Sequence, residues 1–206
     1  MNVRVQHGPA RRRAGGFSLL EMLIVVFLIL VLTIIMGGGF GAEGRKRTTA
    51  ACQANLQKIY LALSIYENDN KGALPFFKGA DSPSEPLSLL VPKSTTTTEI
   101  FICPGSKDDA LPEGDPFATR KISYAYYMGR VTNNDAGEII ASDEQVNSAP
   151  KTTGQQVFSL NGHAPGNNHG KYGGNLLSGS GEVTASGPMA SRDLQFPADV
   201  RLLNPQ

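Results

Sequence analysis

Apolar and polar positions divide this chain into three regimes. Over residues 17–36 nearly every position is apolar, and Ser18, Glu21 and Thr33 are the exceptions. About 20 residues of helix span about 30 Å, the thickness of a bilayer's hydrocarbon core. A helix is the open-chain structure that satisfies its own backbone polar groups in lipid. The pattern therefore predicts a membrane helix over residues 17–36, with a carboxylate, Glu21, in its first turns. Such a group near hydrocarbon is unfavourable by a few kcal/mol unless it is paired or lies at the interface.

Over residues 45–69 the pattern becomes amphipathic. Cys52, Leu56, Ile59, Leu63 and Tyr66 recur at steps of four and three, which places them on one face of a helix. Asn68-Asp69-Asn70-Lys71-Gly72 supplies stop residues, and Pro75 prevents continuation. Between the two helices, Gly37-Gly38-Gly39-Phe40-Gly41 favours a break, or serves as a plain linker, since each helical glycine is unfavourable by about 1 kcal/mol relative to alanine. Arg45-Lys46-Arg47 reads as a solvated helix start.

Beyond residue 76 the elements shorten. Three prolines, Pro83, Pro86 and Pro92, make residues 76–98 a loop with one helical turn near 87–91. Glu99-Ile100-Phe101-Ile102-Cys103 reads as a strand ended by Pro104-Gly105. Ile122-Ser123-Tyr124-Ala125-Tyr126-Tyr127-Met128 is a clear strand signal, with its aromatics expected to pack on the long helix. Asn133-Asn134-Asp135-Ala136-Gly137 turns the chain toward a return strand near 138–141. Residues 156–160 read as another strand, and residues 175–183 as a hairpin around Gly179 and Gly181. Residues 186–206 read as a tail with at most one strand, near 200–203. The expected fold class is α+β: a long N-terminal helix, half in the membrane and half packed on a small antiparallel sheet that starts at about residue 99.

The flanks of the apolar run change the picture. Arg4 and Arg11-Arg12-Arg13 precede it, which holds that end in the cytoplasm and puts the rest of the chain outside. A secretory signal would carry its small-residue cleavage site after the run. Here the run ends in Met36-Gly37-Gly38-Gly39, and the small residues Ala14-Gly15-Gly16 stand before it.

A basic leader ending in glycine, then phenylalanine, then glutamate at the fifth position of the mature chain resembles the prepilin signal of type IV pilins and type II secretion pseudopilins. Gly16, Phe17 and Glu21 match these positions. The resemblance implies a leader over residues 1–16 and cleavage between Gly16 and Phe17 by a prepilin peptidase. It also implies N-methylation of Phe17 and a role for Glu21 in assembly. Residues 37–206 would then form the periplasmic globular domain. The run Cys52-Gln53-Ala54-Asn55-Leu56-Gln57-Lys58-Ile59, with Gly72 and Pro75 after it, is similar to the segment after the anchor in bacterial prepilin-like proteins. So is Phe101-Ile102-Cys103-Pro104, whose cysteine in those proteins often accompanies one in the first helix. His169 with Asn175, Leu177 and Gly181 resembles their C-terminal hairpin, although Ser180 stands where Asp is usual.

At 206 residues, the chain holds one domain and an anchor. Without the four arginines of residues 1–16, 19 basic residues become 15 against 18 acidic, a side-chain balance of −3. That excludes a general nucleic-acid binder. Two cysteines allow one bridge, and outside the cytoplasm paired cysteines tend to oxidise. Cys52–Cys103 is the expected disulfide, against two separate buried thiols. Cys103 with His163 and His169 could be assembled into a thiol nucleophile, but the exported location and the partner Cys52 favour a structural bridge.

Asp108, Asp109, Glu113 and Asp115 form an acidic loop. Its spacing is not that of an EF-hand, and it lies too early to align with the calcium site of major pseudopilins, so a solvated acidic loop is the better reading, calcium stays open as the alternative, and no other cofactor is expected. His163 and His169 sit in a Gly/Asn-rich stretch with no cysteine or carboxylate close by in sequence to complete a ligand set. No GxSxG, Walker, dinucleotide or HExxH motif is present.

The chain reads as a non-enzymatic structural subunit, a pseudopilin of a type II secretion-like filament. Its implied partners are copies of itself, other pseudopilins, prepilin peptidase and an inner-membrane assembly platform. A type IV pilin is the near alternative. A non-polymerising, membrane-anchored binding protein of the inner membrane is the other class.

Overall fold

The computed structural model describes the backbone of residues 18–37, 40–131 and 136–205, and the side chains of residues 18–34, 46–131 and 136–205. The leader, Gly16 and Phe17 lie outside these residues, as do Gly38, Gly39 and the turn at 133–135. The chain divides into two compact units, Met1–Ala42 and Glu43–Gln206.

In the first unit, α1 spans Leu19–Gly37. Its side chains from Leu19 to Ile34 are exposed, apart from the half-buried Val31. The Thr33 hydroxyl donates to the carbonyls of Ile29 and Leu30, at 2.9 and 2.8 Å, so the polar group is satisfied inside the helix. Among the described residues no helix is long and apolar enough to cross a membrane. The described side chains of α1 account for about 24 Å of axis, against the ~30 Å of a hydrocarbon core.

The next helix, α2, spans Phe40–Asp69, all but its first three residues in the second unit, and so begins before residue 45, continuing through Gly41 and Gly44. Its stripe is the base of the core: Cys52, Leu56, Ile59 and Leu63 are fully buried, and Tyr66 packs at the margin. Leu61 and Ile65, off the stripe, are exposed. At the C-terminus the Asn70 side chain donates to the Tyr66 carbonyl at 2.7 Å. Then Lys71 and Gly72 take positive φ of 58° and 86°, which reverses the chain. Short helical turns follow at α3, Ser84–Leu87, and at Ser88–Leu90.

Five antiparallel strands form one sheet: β1 Tyr124–Met128, β2 Ile139–Asp143, β3 Gly174–Ser178, β4 Val183–Ser186 and β5 Arg201–Leu203. Their spatial order is β4-β3-β2-β1-β5. The β3–β4 turn uses Gly181, at φ 83°. Alternation along β1 sends its side chains to two different cores. Tyr124, Tyr126 and Met128 meet Leu56, Ile59 and Leu63 of α2 on one side. Ala125 and Tyr127 meet Val157, Phe158, Leu194 and Val200 on the other. The aromatic stripe is therefore packing, but it is packing on both faces, and the helix accounts for one. The Tyr126 hydroxyl is satisfied by the Pro75 carbonyl at 3.0 Å, and burial pushes its pKa well up.

Three expectations are corrected by the structure. Residues 99–103 are not a strand: a 3₁₀ turn spans Thr98–Phe101. Ile100, Phe101 and Cys103 are all buried, so the run is apolar because it is enclosed, and a short enclosed run does not distinguish turn from strand. Residues 156–160 form no strand of the sheet. Gln156 makes an isolated bridge to Met189, while Val157 and Phe158 plug the second core. Residues 186–200 are not a tail. Lys151 bridges to Leu194, and Ala190, Leu194 and Val200 are buried. Lys151 itself is buried, and its amine donates to Gln145, Asn147 and Ala149 oxygens. Burial pushes that amine down to about 8.

Candidate functional site

Two places carry the candidate residues. The first is the start of α1. Ser18 precedes the helix and its carbonyl accepts the first intrahelical bond, from the Met22 amide at 3.2 Å. Glu21 lies in the first turn, where the helix dipole favours a carboxylate. Its neighbours Leu20 and Met22 are exposed apolar side chains.

The second place is a cluster inside the second unit. Cys52, on the buried face of α2, is joined to Cys103, just after the 3₁₀ turn, with Cα atoms 5.3 Å apart. The Asn55 side chain, three residues along the same helix, donates to the Ile102 carbonyl at 3.0 Å. The bond and this contact together pin residues 102–103 onto α2. Two further residues converge on the sulfurs. Asp143 ends β2 and is fully buried, and His169 precedes β3 with its ring almost wholly enclosed. His169 Nε2 is 3.0 Å from Asp143 Oδ2 and 3.8 Å from Cys103 Sγ. The side-chain ligand atoms of Cys52, Cys103, Asp143 and His169 all lie within 4.8 Å of one another.

The carboxylate is held firmly. Asp143 Oδ2 accepts from the Asn175 backbone amide at 2.7 Å and its side-chain amide at 2.9 Å, and Oδ1 from Asn168 at 3.3 Å. Strand β3 places Asn175, and the 161–174 segment delivers Asn168 and His169 together. Across the sheet, Tyr124 pairs with Asp143. Its phenol is pushed well up, by burial first and then by the Asp143 carboxylate, with Asn55 acting in the opposite sense.

Close approach here depends on Gly105. A Cβ at that position would run into the Asn168 carbonyl oxygen and touch the His169 ring. Gly105→Ala should therefore lower stability by about 2–3 kcal/mol, read as a shift in the urea midpoint with an unchanged slope. A shift within ~0.5 kcal/mol of zero would mean that the 103–106 turn and the His169 segment are not tightly apposed.

His163 and His169 part company in the fold. His163 is exposed, and its carbonyl accepts from the Ser159 hydroxyl at 2.7 Å. The sequence offers no cysteine or carboxylate close to His169, yet the fold supplies both from far along the chain. Asp143 arrives through the β2–β3 pairing and Cys103 through its bond to α2. In the acidic loop Asp109, Glu113 and Asp115 are exposed, whereas Asp108 is half-buried, accepts from the Ser123 hydroxyl at 2.6 Å and faces Lys121 at 3.7 Å. Asp109, Glu113 and Asp115 enter no metal-ligating cluster among the described residues.

Cys103, His169 and Asp143 are not arranged as a nucleophilic triad. Such a triad needs the carboxylate on one ring nitrogen and the sulfur on the other. Here both face Nε2, while Nδ1 faces the Thr49 hydroxyl at 3.4 Å.

No curated protein and no solved structure matches the chain. Residues 11–37, spanning the arginine cluster, the Gly-Phe junction, Glu21 and all of α1, match the family model of the prokaryotic N-terminal methylation motif, and the chain thus carries the hallmark of the prepilin-type proteins, type IV pilins and pseudopilins among them.

Proposed function

We propose that the chain is a structural subunit of a bacterial envelope filament, a pseudopilin of a type II secretion-like system. The observation that carries this reading is the methylation motif over residues 11–37, because it ties a basic leader, a cleavable glycine and an apolar helix to one processing pathway. Prepilin peptidase removes residues 1–16 and methylates the new Phe17 amine. Residues 17–36 hold the subunit in the inner membrane, with Arg11 to Arg13 fixing the N-terminal side in the cytoplasm before cleavage. The Glu43–Gln206 unit lies in the periplasm. Assembly moves the helix sideways from lipid into a bundle of copies of itself and other pseudopilins, on an inner-membrane platform. A type IV pilin would share every one of these steps, and the same residues support it.

Mass spectrometry of the N-terminal peptide tests the reading. The expected mature chain begins at Phe17 and carries one N-methyl group. A chain that keeps Arg11 to Arg13, or one that begins near residue 40, would overturn it.

A further inference from the structure

We propose that Cys52, Cys103, Asp143 and His169 form a zinc site when the two cysteines are thiols, so that the link between α2 and residues 102–103 has two alternative closures, a disulfide or a metal. The first support is convergence. Four ligand atoms from four separate segments point at one locus, with no pair more than 4.8 Å apart. Tetrahedral zinc, with Zn–S of about 2.3 Å and Zn–N of about 2.0 Å, sets its ligand atoms roughly 3.3–3.8 Å from each other. The Cys103 Sγ–His169 Nε2 distance is already 3.8 Å and the His169–Asp143 distance 3.0 Å. The two sulfurs must separate, and they are free to do so once the bond between them is gone.

The second support is the donor chemistry. Two thiolates, an imidazole and a carboxylate suit zinc among the common divalent ions, whereas calcium and magnesium require a shell of oxygens. The surrounding groups are those a metal site needs. Thr49 faces Nδ1 and turns Nε2 inward. Asn175 and Asn168 fix the carboxylate with three N–H donors. A disulfide by itself has no use for an imidazole and a carboxylate aimed at it. Burying that pair beside apolar sulfur carries a desolvation penalty that a cation at the same point would offset.

The chain is synthesised with thiols, so the metal form needs no reductant at that stage. Zinc displaces two protons, one from each thiol, and forms two Zn–S bonds. Oxidation reverses this. Two electrons leave the paired thiolates for a disulfide-bearing oxidant, whose own S–S bond is reduced to a dithiol with two protons taken from solvent; one S–S bond forms between Cys52 and Cys103, and Zn²⁺ departs. The two states exclude each other because they use the same sulfurs.

The test uses the full chain in detergent, reduced with a phosphine under argon and titrated with Co²⁺ as the spectroscopic stand-in. The expected result is one Co²⁺ per chain, with the intense visible bands of a tetrahedral site and near-ultraviolet thiolate charge transfer, both removed by added Zn²⁺. His169→Ala should weaken binding at least about 10-fold and alter the bands. Zn²⁺ should raise the melting temperature of the reduced chain and leave the oxidised chain unchanged. A reduced wild-type chain that gives no tetrahedral spectrum would overturn the proposal. So would equal binding by the oxidised chain, by His169→Ala, or by a Cys52→Ser/Cys103→Ser chain that circular dichroism shows to be folded. None of these outcomes depends on processing at Phe17, so this inference and the filament reading fail separately.

Discussion

Replacing Glu21 with alanine should abolish filament formation and leave export, processing and the folded Glu43–Gln206 unit unchanged. Glu21 sits in the first turn of α1 among exposed apolar side chains. Cleavage after Gly16 would place a new positive amine, that of Phe17, about one helical turn before it. Within one subunit the amine partly neutralises the carboxylate. In a growing filament, the amine of each arriving helix is offered to the Glu21 of a subunit already in place. Opposite charges a few Å apart in a low-dielectric bundle attract strongly, and a carboxylate left unpaired there is penalised. The pair would therefore set the axial register. Glu21→Asp, which keeps the charge but shortens the reach, should be milder. Filaments are counted by shearing or electron microscopy beside a blot for the mature chain. Normal filaments from Glu21→Ala would remove the polymer argument and favour the non-polymerising anchored binder.

Removing the Cys52–Cys103 bond should produce the largest loss of stability in the second unit. The two residues are 51 positions apart. Closing a loop of that length contributes about 4 kcal/mol in the chain-entropy account, and often less in practice. Cys52→Ser and Cys103→Ser should each lower the urea midpoint by most of that amount, and the double variant by little more, because the second change removes nothing further. Thiol labelling of the denatured, unreduced protein should find no free cysteine. Single variants within ~1 kcal/mol of wild type would show that the Asn55–Ile102 contact and the surrounding core hold the segment without the bond.

Much of the architecture is legible in the sequence because single elements carry their own periodicity. The steps from Cys52 to Leu63 define the buried face of α2, and the tyrosines of β1 announce a strand. The Gly181 turn is legible for a local reason, a backbone conformation that suits glycine. What escapes is whatever depends on enclosure from a second side. Residues 99–103 are as apolar as a strand yet form a turn, and residues 186–200 look like a tail yet cover the far face of the sheet with isolated apolar side chains, Ala190, Leu194 and Val200. The ligand cluster escapes most completely. His169 and Asp143 are 26 residues apart, and their meeting follows from strand order, which no local pattern encodes. A histidine followed closely by a β-strand, and an aspartate at the end of a strand with no turn role, are the faint signals available.

The place of β5 has a kinetic consequence. Strand β1 is flanked by β2, its near neighbour in sequence, and by β5, the last strand of the chain, with Tyr126 opposite Leu203. That pairing spans more than a third of the molecule, and the Val200 side chain next to β5 also closes the second core. Contacts so distant in sequence form late, because the entropy of closing the loop precedes any reward from pairing. On the proposed reading the N-terminus stays inside and the second unit crosses the membrane from α2 onward, so the sheet cannot be completed until β5 is through. Up to that moment β1 presents an open edge. A unit exported in that way would stay unfinished, and passable through a narrow channel, until its last strand had crossed.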